Sequence, residues 1–213
     1  MKDEIRDALR KKDLGHVARL AGENRKVFSI LISLAYDKDD VLCWRAIEAM
    51  GKAAGAVVAE DPAGVRTIVQ RLLWSMRDEA GGIGWSSPEM LGEIVRSAPG
   101  PFRDIPSLIL SFQDEEMFLE GILWAVGRMA GAGIVLDGDG AELVIRCLDH
   151  DDPQVRGLAV MAASQMKSET GRGRIAAMTA DHGQARIYDD HELRETTVGA
   201  LAAVAIRQLC EGV

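Results

Sequence analysis

The stretch that decides the fold is DDPQVRGLAVMAAS, residues 151–164. Two Asp residues and a Pro open it as a helix start requires. Asp accepts the free amide hydrogens of a first turn, and Pro fits where no amide donor is needed. Val155, Ala159 and Ala163 then recur every fourth residue, which at about 100° per residue lays them along one stripe of a helix. AELVIRCL, at 141–148, supplies an apolar helix just before it. Together they read as a helix pair.

Working outward, four more segments superimpose on this one: DDVLCWRAIEAMG ending at Gly51, GIGWSSPEMLG ending at Gly92, EMFLEGILWAVG ending at Gly127, and ELRETTVGALA ending at Ala202. With the first segment ending at Ser164, the end points fall 35 to 41 residues apart, the length of a helix-turn-helix repeat. Each follows an apolar stretch: VFSILISLAY, VRTIVQRLLW, IPSLILSF and RIAAMTA. The connecting turns, DKDD, RDE, QDEE and HDDP, bring Asp to or near the start of the second helix. Five helix pairs are therefore expected over 26–208. Residues 1–25 are expected to form a helical cap, with short helices at 1–11 and 14–21, because an end repeat exposes an apolar face. The expected organisation is a single repeat domain over 1–213, with the repeats over 26–213.

The totals agree with helices. Of 213 residues, 47% are hydrophobic and only 5% aromatic, so the core draws on Ala, Leu, Val, Ile and Met rather than on strand-forming aromatics. Lys and Arg number 25 against 33 Asp and Glu, and the net charge of -8 disfavours a nucleic-acid partner. Cys43, Cys147 and Cys210 are far apart and odd in number, a pattern of reduced thiols rather than of a disulfide framework or a metal knuckle. The charged start MKDEIRDALRKKD lacks the apolar stretch of a signal peptide, and no apolar run approaches 18 residues. A cytoplasmic location without membrane contact is the expectation.

Counting back from the end of each second helix separates two faces. The buried stripe is expected to hold Leu42, Ala46 and Met50; Ile83, Ser87 and Leu91; Phe118, Ile122 and Val126; Val155, Ala159 and Ala163; and Leu193, Thr197 and Leu201. The opposite ridge holds Trp44, Glu48 and Lys52; Trp85, Glu89 and Glu93; Glu120, Trp124 and Arg128; Gly157, Met161 and Gln165; and Glu195, Gly199 and Ala203. Three of the four tryptophans lie on this ridge. Trp44 and Trp124 there either meet a ligand or fill the seam between neighbouring second helices. Trp85 has a further reading: Ser86 and Glu89 make an S-x-x-E capping box, with Met90 as staple partner to Trp85 and Pro88 in the first turn. MRDEAGGIG, 76–84, is then an open loop.

Other constellations carry little chemistry. His191-Glu192 is a single pair, and His16, His150 and His182 are isolated, so no metal site is expected. Asp137-Gly138-Asp139-Gly140 lacks the later acids of a calcium loop and reads as a helix start. Gly81-Gly82-Ile83-Gly84 and Gly131-Ala132-Gly133 neither follow a strand nor lead into G-K-[ST], and read as connections. No nucleophile motif is present, and no cofactor is expected.

The pattern D-x-V-R-x-x-A-x-x-A, approached most closely by DDPQVRGLAVMAAS, resembles the HEAT-like repeat of the phycobilisome-lyase type, over nearly the whole chain from about Lys26. The resemblance implies an all-α, right-handed solenoid of about five repeats whose second helices line a concave groove. Trp44, Glu48, Trp85, Glu89, Glu93, Trp124 and Arg128 would share that groove, with aromatics and Arg as binding anchors. A non-catalytic scaffold or adaptor for a protein or peptide partner, basic or amphipathic, is the leading expectation. The alternative implied by the same family is a tetrapyrrole- or bilin-handling lyase-like or cofactor-maturation protein, with Arg128 pairing a propionate.

Overall fold

The computed structural model describes residues 1–77, 84–136 and 138–211. Among these residues the chain is built mainly of α-helices, twelve in all, joined by short turns and one β-hairpin. It divides into two compact units, Met1–Ile109 and Leu110–Val213.

The first unit holds α1 (Lys2–Arg10), α2 (Leu14–Glu23), α3 (Lys26–Leu34), α4 (Val41–Val57), α5 (Pro62–Ser75) and α6 (Ser87–Ser97), with α7 (Ile105–Leu110) at its end. Helices α1 and α2 occupy the segment expected as a cap, and both pack on α4. The pairs α3/α4 and α5/α6 follow the repeat, and α4 packs against both α2 and α6. The second unit holds α8 (Glu116–Gly131), α9 (Gly138–Cys147), α10 (Pro153–Gln165), α11 (Arg172–Ala177) and α12 (Val198–Glu211). Here α10 packs against α8, α9 and α12.

The acidic turns do what their composition suggests in several places. Asp40 accepts the Leu42 amide at 2.9 Å, Asp61 the Gly64 amide at 2.8 Å and Asp152 the Gln154 amide at 2.8 Å, each satisfying an orphan donor of the helix it starts. Glu115, from QDEE, precedes α8 without a side-chain capping bond. Asp78 and Glu79 lie outside the described residues, as do most of the loop expected at 76–84, the glycine cluster at 81–83 and Asp137.

Apart from Leu42, which is only half-buried, the described residues of the expected stripe are buried through the first four second helices. Ala46, Met50, Leu91, Ile122, Val126, Ala159 and Ala163 have no exposure, and Ser87 has 1%. Ile83 lies outside the described residues. The repeat-ending glycines explain how the helices come so close. A Cβ on Gly127 would lie 3.3 Å from the Ala162 Cα, and one on Gly51 would meet the Glu93 backbone on α6.

The fifth repeat departs from the expected helix pair. RIAAMTA forms α11 and a single 3-10 turn, but ELRETT is a strand, not the start of a second helix. Strand β1 (Gln184–Asp189) pairs antiparallel with β2 (Glu192–Thr197). Asp190 and His191 make the two-residue connection with φ of 49° and 62°, the doubly left-handed turn whose twist suits a hairpin. Leu193 and Thr197, expected on a helical stripe, therefore sit in β2, and only Leu201 of that row is on a helix, α12.

The physical reason is a competition of periods. Leu193, Thr197 and Leu201 match the four-residue spacing, but QARIYD and ELRETT also alternate and carry Ile187, Tyr188, Thr196 and Thr197, which favour strands. Pairing is reinforced where Arg186 faces Glu195 across the strands, with Nε 2.6 Å from Oε1. On the outer side of β1, the Gln154 side chain donates to the Arg186 carbonyl at 2.9 Å and accepts from its amide at 2.7 Å. A helix N-terminus thus closes an edge that would otherwise stay open.

Candidate binding sites

On α4, two of the residues expected on the ridge bring their chemistry inward. Trp44 on α4 is 8% exposed, and its indole N–H donates to the Lys38 carbonyl at 2.9 Å. That bond satisfies the polar end of a ring otherwise set in the core. Glu48, one turn on, is buried.

On α6, Glu89 and Glu93 have no exposure at all. Burying a carboxylate is costly unless a cation compensates it. Lys38 supplies one, with Nζ 2.6 Å from Oε1 of Glu89 in an ion pair held outside hydrogen-bonding angles. Arg96 Nη1 lies 3.5 Å from Oε2 of Glu93, one turn away on the same helix.

Trp85 sits just before α6 in a 3-10 turn and is 46% exposed. Pro88 falls in the first turn of α6 as expected, while Ser86 at the N-cap makes no side-chain capping bond. The Ser86 hydroxyl instead lies 3.9 Å from the Cys43 sulfur.

The Cys43 thiol is itself buried. Burial pushes it up to about 12, Ser86 opposes the rise and the Glu89 charge adds to it. At neutral pH Cys43 is therefore a neutral thiol, which is a weak nucleophile. Among the described residues no group of three or more His, Cys, Asp and Glu side chains could hold a metal ion.

Around Trp85 opens a recess of about 280 Å³ that also takes in Ser29, Ile32, Ser33, Tyr36 and Arg71. Tyr36 is 69% exposed. The Arg71 guanidinium donates to the Ser29 hydroxyl at 3.2 Å, which fixes it across the gap between α5 and α3. The sequence pointed to Trp85 but missed Tyr36 and Arg71. Both lie on or beside first helices, whose outer faces no repeat rule singles out.

In the second unit, Trp124 on α8 is buried and the half-buried Arg128 lies over its ring, with the guanidinium carbon 5.3 Å from the centroid. A separate recess of about 290 Å³ lies between α10, α12 and the hairpin. Its apolar lining includes Met161, Ile187, Leu201 and Val204, and Gln165, Gln208, Asp189 and Arg194 add polar groups. Met161 and Gln165 belong to the expected ridge, but the wall of hairpin residues was not foreseen. The alternation in RIYD and LRET was the signal that marks it.

Charge separates the two units sharply. The first carries 16 Lys and Arg against 16 Asp and Glu, while the second carries 9 against 17. The whole net charge of -8 therefore belongs to Leu110–Val213. No helix among the described residues is long and apolar enough to cross a membrane.

No family model matches the chain. An uncharacterized protein of Archaeoglobus fulgidus is 30% identical over 103 residues, which is 48% of this chain and 53% of the relative. The chain thus spans about half the length of the curated relative it matches. The crystal structure of an engineered protein is similar over 100% of this chain and 92% of that one, with a TM-score of 0.53 at 16% identity. That likeness is one of fold.

Proposed function

We propose that this chain is a non-catalytic protein-binding module, a HEAT-like scaffold or adaptor of the cytoplasm, which takes a partner segment on the Trp85 face of its first unit. The observation that carries this reading is the meeting of exposed Trp85 and Tyr36 with Arg71 around one recess. Trp, Tyr and Arg are the residues that dominate binding hot spots, because they bury large areas and keep a polar or charged handle. A recess of about 280 Å³ suits an anchoring side chain of a partner. It lies at or below the roughly 300–1,000 Å³ of sites that enclose a small molecule. The HEAT-like reading is supported by recurrence: Asp40 and Asp152 cap equivalent helices, and Gly51 and Gly127 stand at equivalent close approaches.

The catalytic alternatives draw less support. Cys43 is held neutral, and Glu89 and Glu93 are occupied as buried members of ion pairs.

The test pairs Trp85→Ala with Tyr36→Ala in the full-length protein. Both side chains are substantially exposed, so the double variant should melt within a few degrees of wild type. It should lose the partner that wild type captures at stoichiometric levels, since such anchors contribute about 2 kcal/mol or more each. Retention of every wild-type partner by a stably folded double variant would sink the proposal. A visible absorbance band in protein purified from its own host would favour the tetrapyrrole reading instead.

A further inference from the structure

The recess in the second unit differs from the Trp85 recess in its walls and in its charge. It exists because the chain breaks the repeat: a hairpin replaces the first half of an expected helix and stands over the seam between α10 and α12. Helix seams normally close on themselves. Here Val204 on α12 remains 43% exposed within the lining, and Met161 and Leu201 are only partly buried. Leaving three such side chains open to water forgoes burial that simple helix pairing would have provided.

The surroundings are acidic. The unit carries the chain's entire negative excess. The hairpin end beside the recess carries Asp189, Asp190 and Glu192 against Arg194, whose guanidinium lies 3.7 Å from each of the two Asp carboxylates. These are exposed and loosely held contacts, which an incoming cation can replace at small cost. Ser164, by contrast, is buried and donates to Gln208 at 2.7 Å, so the polar end of the recess is internally organised.

We infer that this recess is a docking site for a basic peptide segment carrying an apolar anchor, which seats its apolar side chain against Met161, Leu201 and Val204 while its Lys or Arg residues face the acidic hairpin end. Complementary charge speeds encounter and orients the segment, and the apolar floor supplies most of the retention. An acidic segment would meet like charge, and a purely polar basic segment would leave the floor wet. The inference shares the protein-binding reading with the Trp85 site but stands on a different unit, so the two can fail separately.

The experiment uses the full chain and a labelled synthetic peptide of Leu and Lys, with one counterpart in which every Lys is Glu and another in which every Leu is Ser. Binding is followed by fluorescence anisotropy at low and at physiological salt. The Leu/Lys peptide should bind in a salt-dependent manner, the Glu counterpart should not bind, and the Ser counterpart should be at least about tenfold weaker. Val204→Lys should weaken the Leu/Lys peptide by about tenfold or more, and Val204→Asp should weaken it also, although it adds negative charge. Trp85→Ala should leave this affinity unchanged, whatever it does to partner capture. Because Val204 is substantially exposed, neither of its variants should unfold the protein, and a melting curve checks that. Equal binding of the Leu/Lys and Ser peptides, or unchanged affinity in both Val204 variants, would overturn the inference.

Discussion

Gly51 on α4 and Glu93 on α6 touch backbone to backbone: a Cβ at Gly51 would lie 2.5 Å from the Glu93 carbonyl oxygen and 2.8 Å from its carbonyl carbon. Real side chains do not come so near a carbonyl. The contact sets how closely two successive second helices approach. It also explains why Glu93, on the same helix turn, is carried into the interior.

Gly51→Ala should therefore destabilise the protein even though Ala is the better helix former by about 1 kcal/mol. The backbones must separate, and overpacking of this kind costs about 1–3 kcal/mol. A fall of several degrees in melting temperature is expected. Gly22→Ala is the control: its Cβ would meet nothing within 4 Å, so the propensity gain should appear alone as a slight rise.

Lys38 and Glu89 form the second testable relation. Lys38 belongs to the turn before α4, yet its ammonium reaches a fully buried carboxylate on α6. Lys38→Met should cost about 3–5 kcal/mol, because it leaves a buried charge without its cation. Adding Glu89→Met to that variant should recover much of the loss, since an apolar pair can replace a buried ion pair. Chemical denaturation of the two single variants and the double one measures the coupling. Additive losses would mean that the ion pair is not the link.

Cys43 gives a prediction in pH. Its thiol is raised in the folded state to about 12, whereas the unfolded chain loses that proton at about 8.5. Between these values the folded state holds a proton that the unfolded state does not. The contribution is thus fully present below the unfolded value and lost as pH rises toward the folded one. The expected slope is about 1.4 kcal/mol of lost stability per pH unit across that window. Cys43→Ala should lower stability at neutral pH by its small cavity, yet show a shallower decline from pH 9 upward. Parallel curves for wild type and variant would contradict the assignment. At neutral pH a thiol reagent should label exposed Cys210 and spare Cys43 and Cys147, which are both buried.

Helix C-termini supply the last prediction. Helix α10 ends with Lys167 at φ 52°, where the Ser168 amide donates to Ala163 at 3.1 Å. Helix α8 ends the same way with Gly133 at φ 77°, and Ile134 donates to Met129 at 3.1 Å. Both are left-handed caps, a conformation that costs a residue with a Cβ roughly 1 kcal/mol. Lys167→Gly should therefore raise stability by about that much, and Gly133→Ala should lower it similarly. Thermal melts read both signs.

Much of the helical plan was legible in the sequence. Spacing marked the second helices through Ser164, the acidic turns marked Asp40 and Asp152 as caps, and the four-residue rule marked Leu91 and Val126 as core. These properties are local: each depends on residues within a turn or two of one another, and helix periodicity repeats often enough to be counted. The fifth repeat escaped because ELRETT satisfies both the helical and the strand period. Only pairing with QARIYD, and the Gln154 amide that closes the edge of β1, decides between them.

The ridge was legible as a set of positions but not as an environment. Trp44, Glu48, Glu89 and Glu93 lie on the helix side away from the stripe that the count assigned to the core. A helix flanked on both sides by others, as α4 is by α2 and α6, has more than one buried side. Whether a carboxylate there is solvated or enclosed depends on a cation from elsewhere in the chain. For Glu89 that cation is Lys38, 51 residues away, and no periodicity of α6 can announce it. The net charge of -8 was likewise plain from composition, but its confinement to Leu110–Val213 has meaning only once the chain has divided into units. Sequence by itself determined the second helices through Ser164 and the Asp caps at Asp40 and Asp152, because those depend on residues within a turn or two. Tertiary structure decided which polar groups are enclosed, where the hairpin stands and where recesses open, because those depend on contacts between segments far apart in the chain.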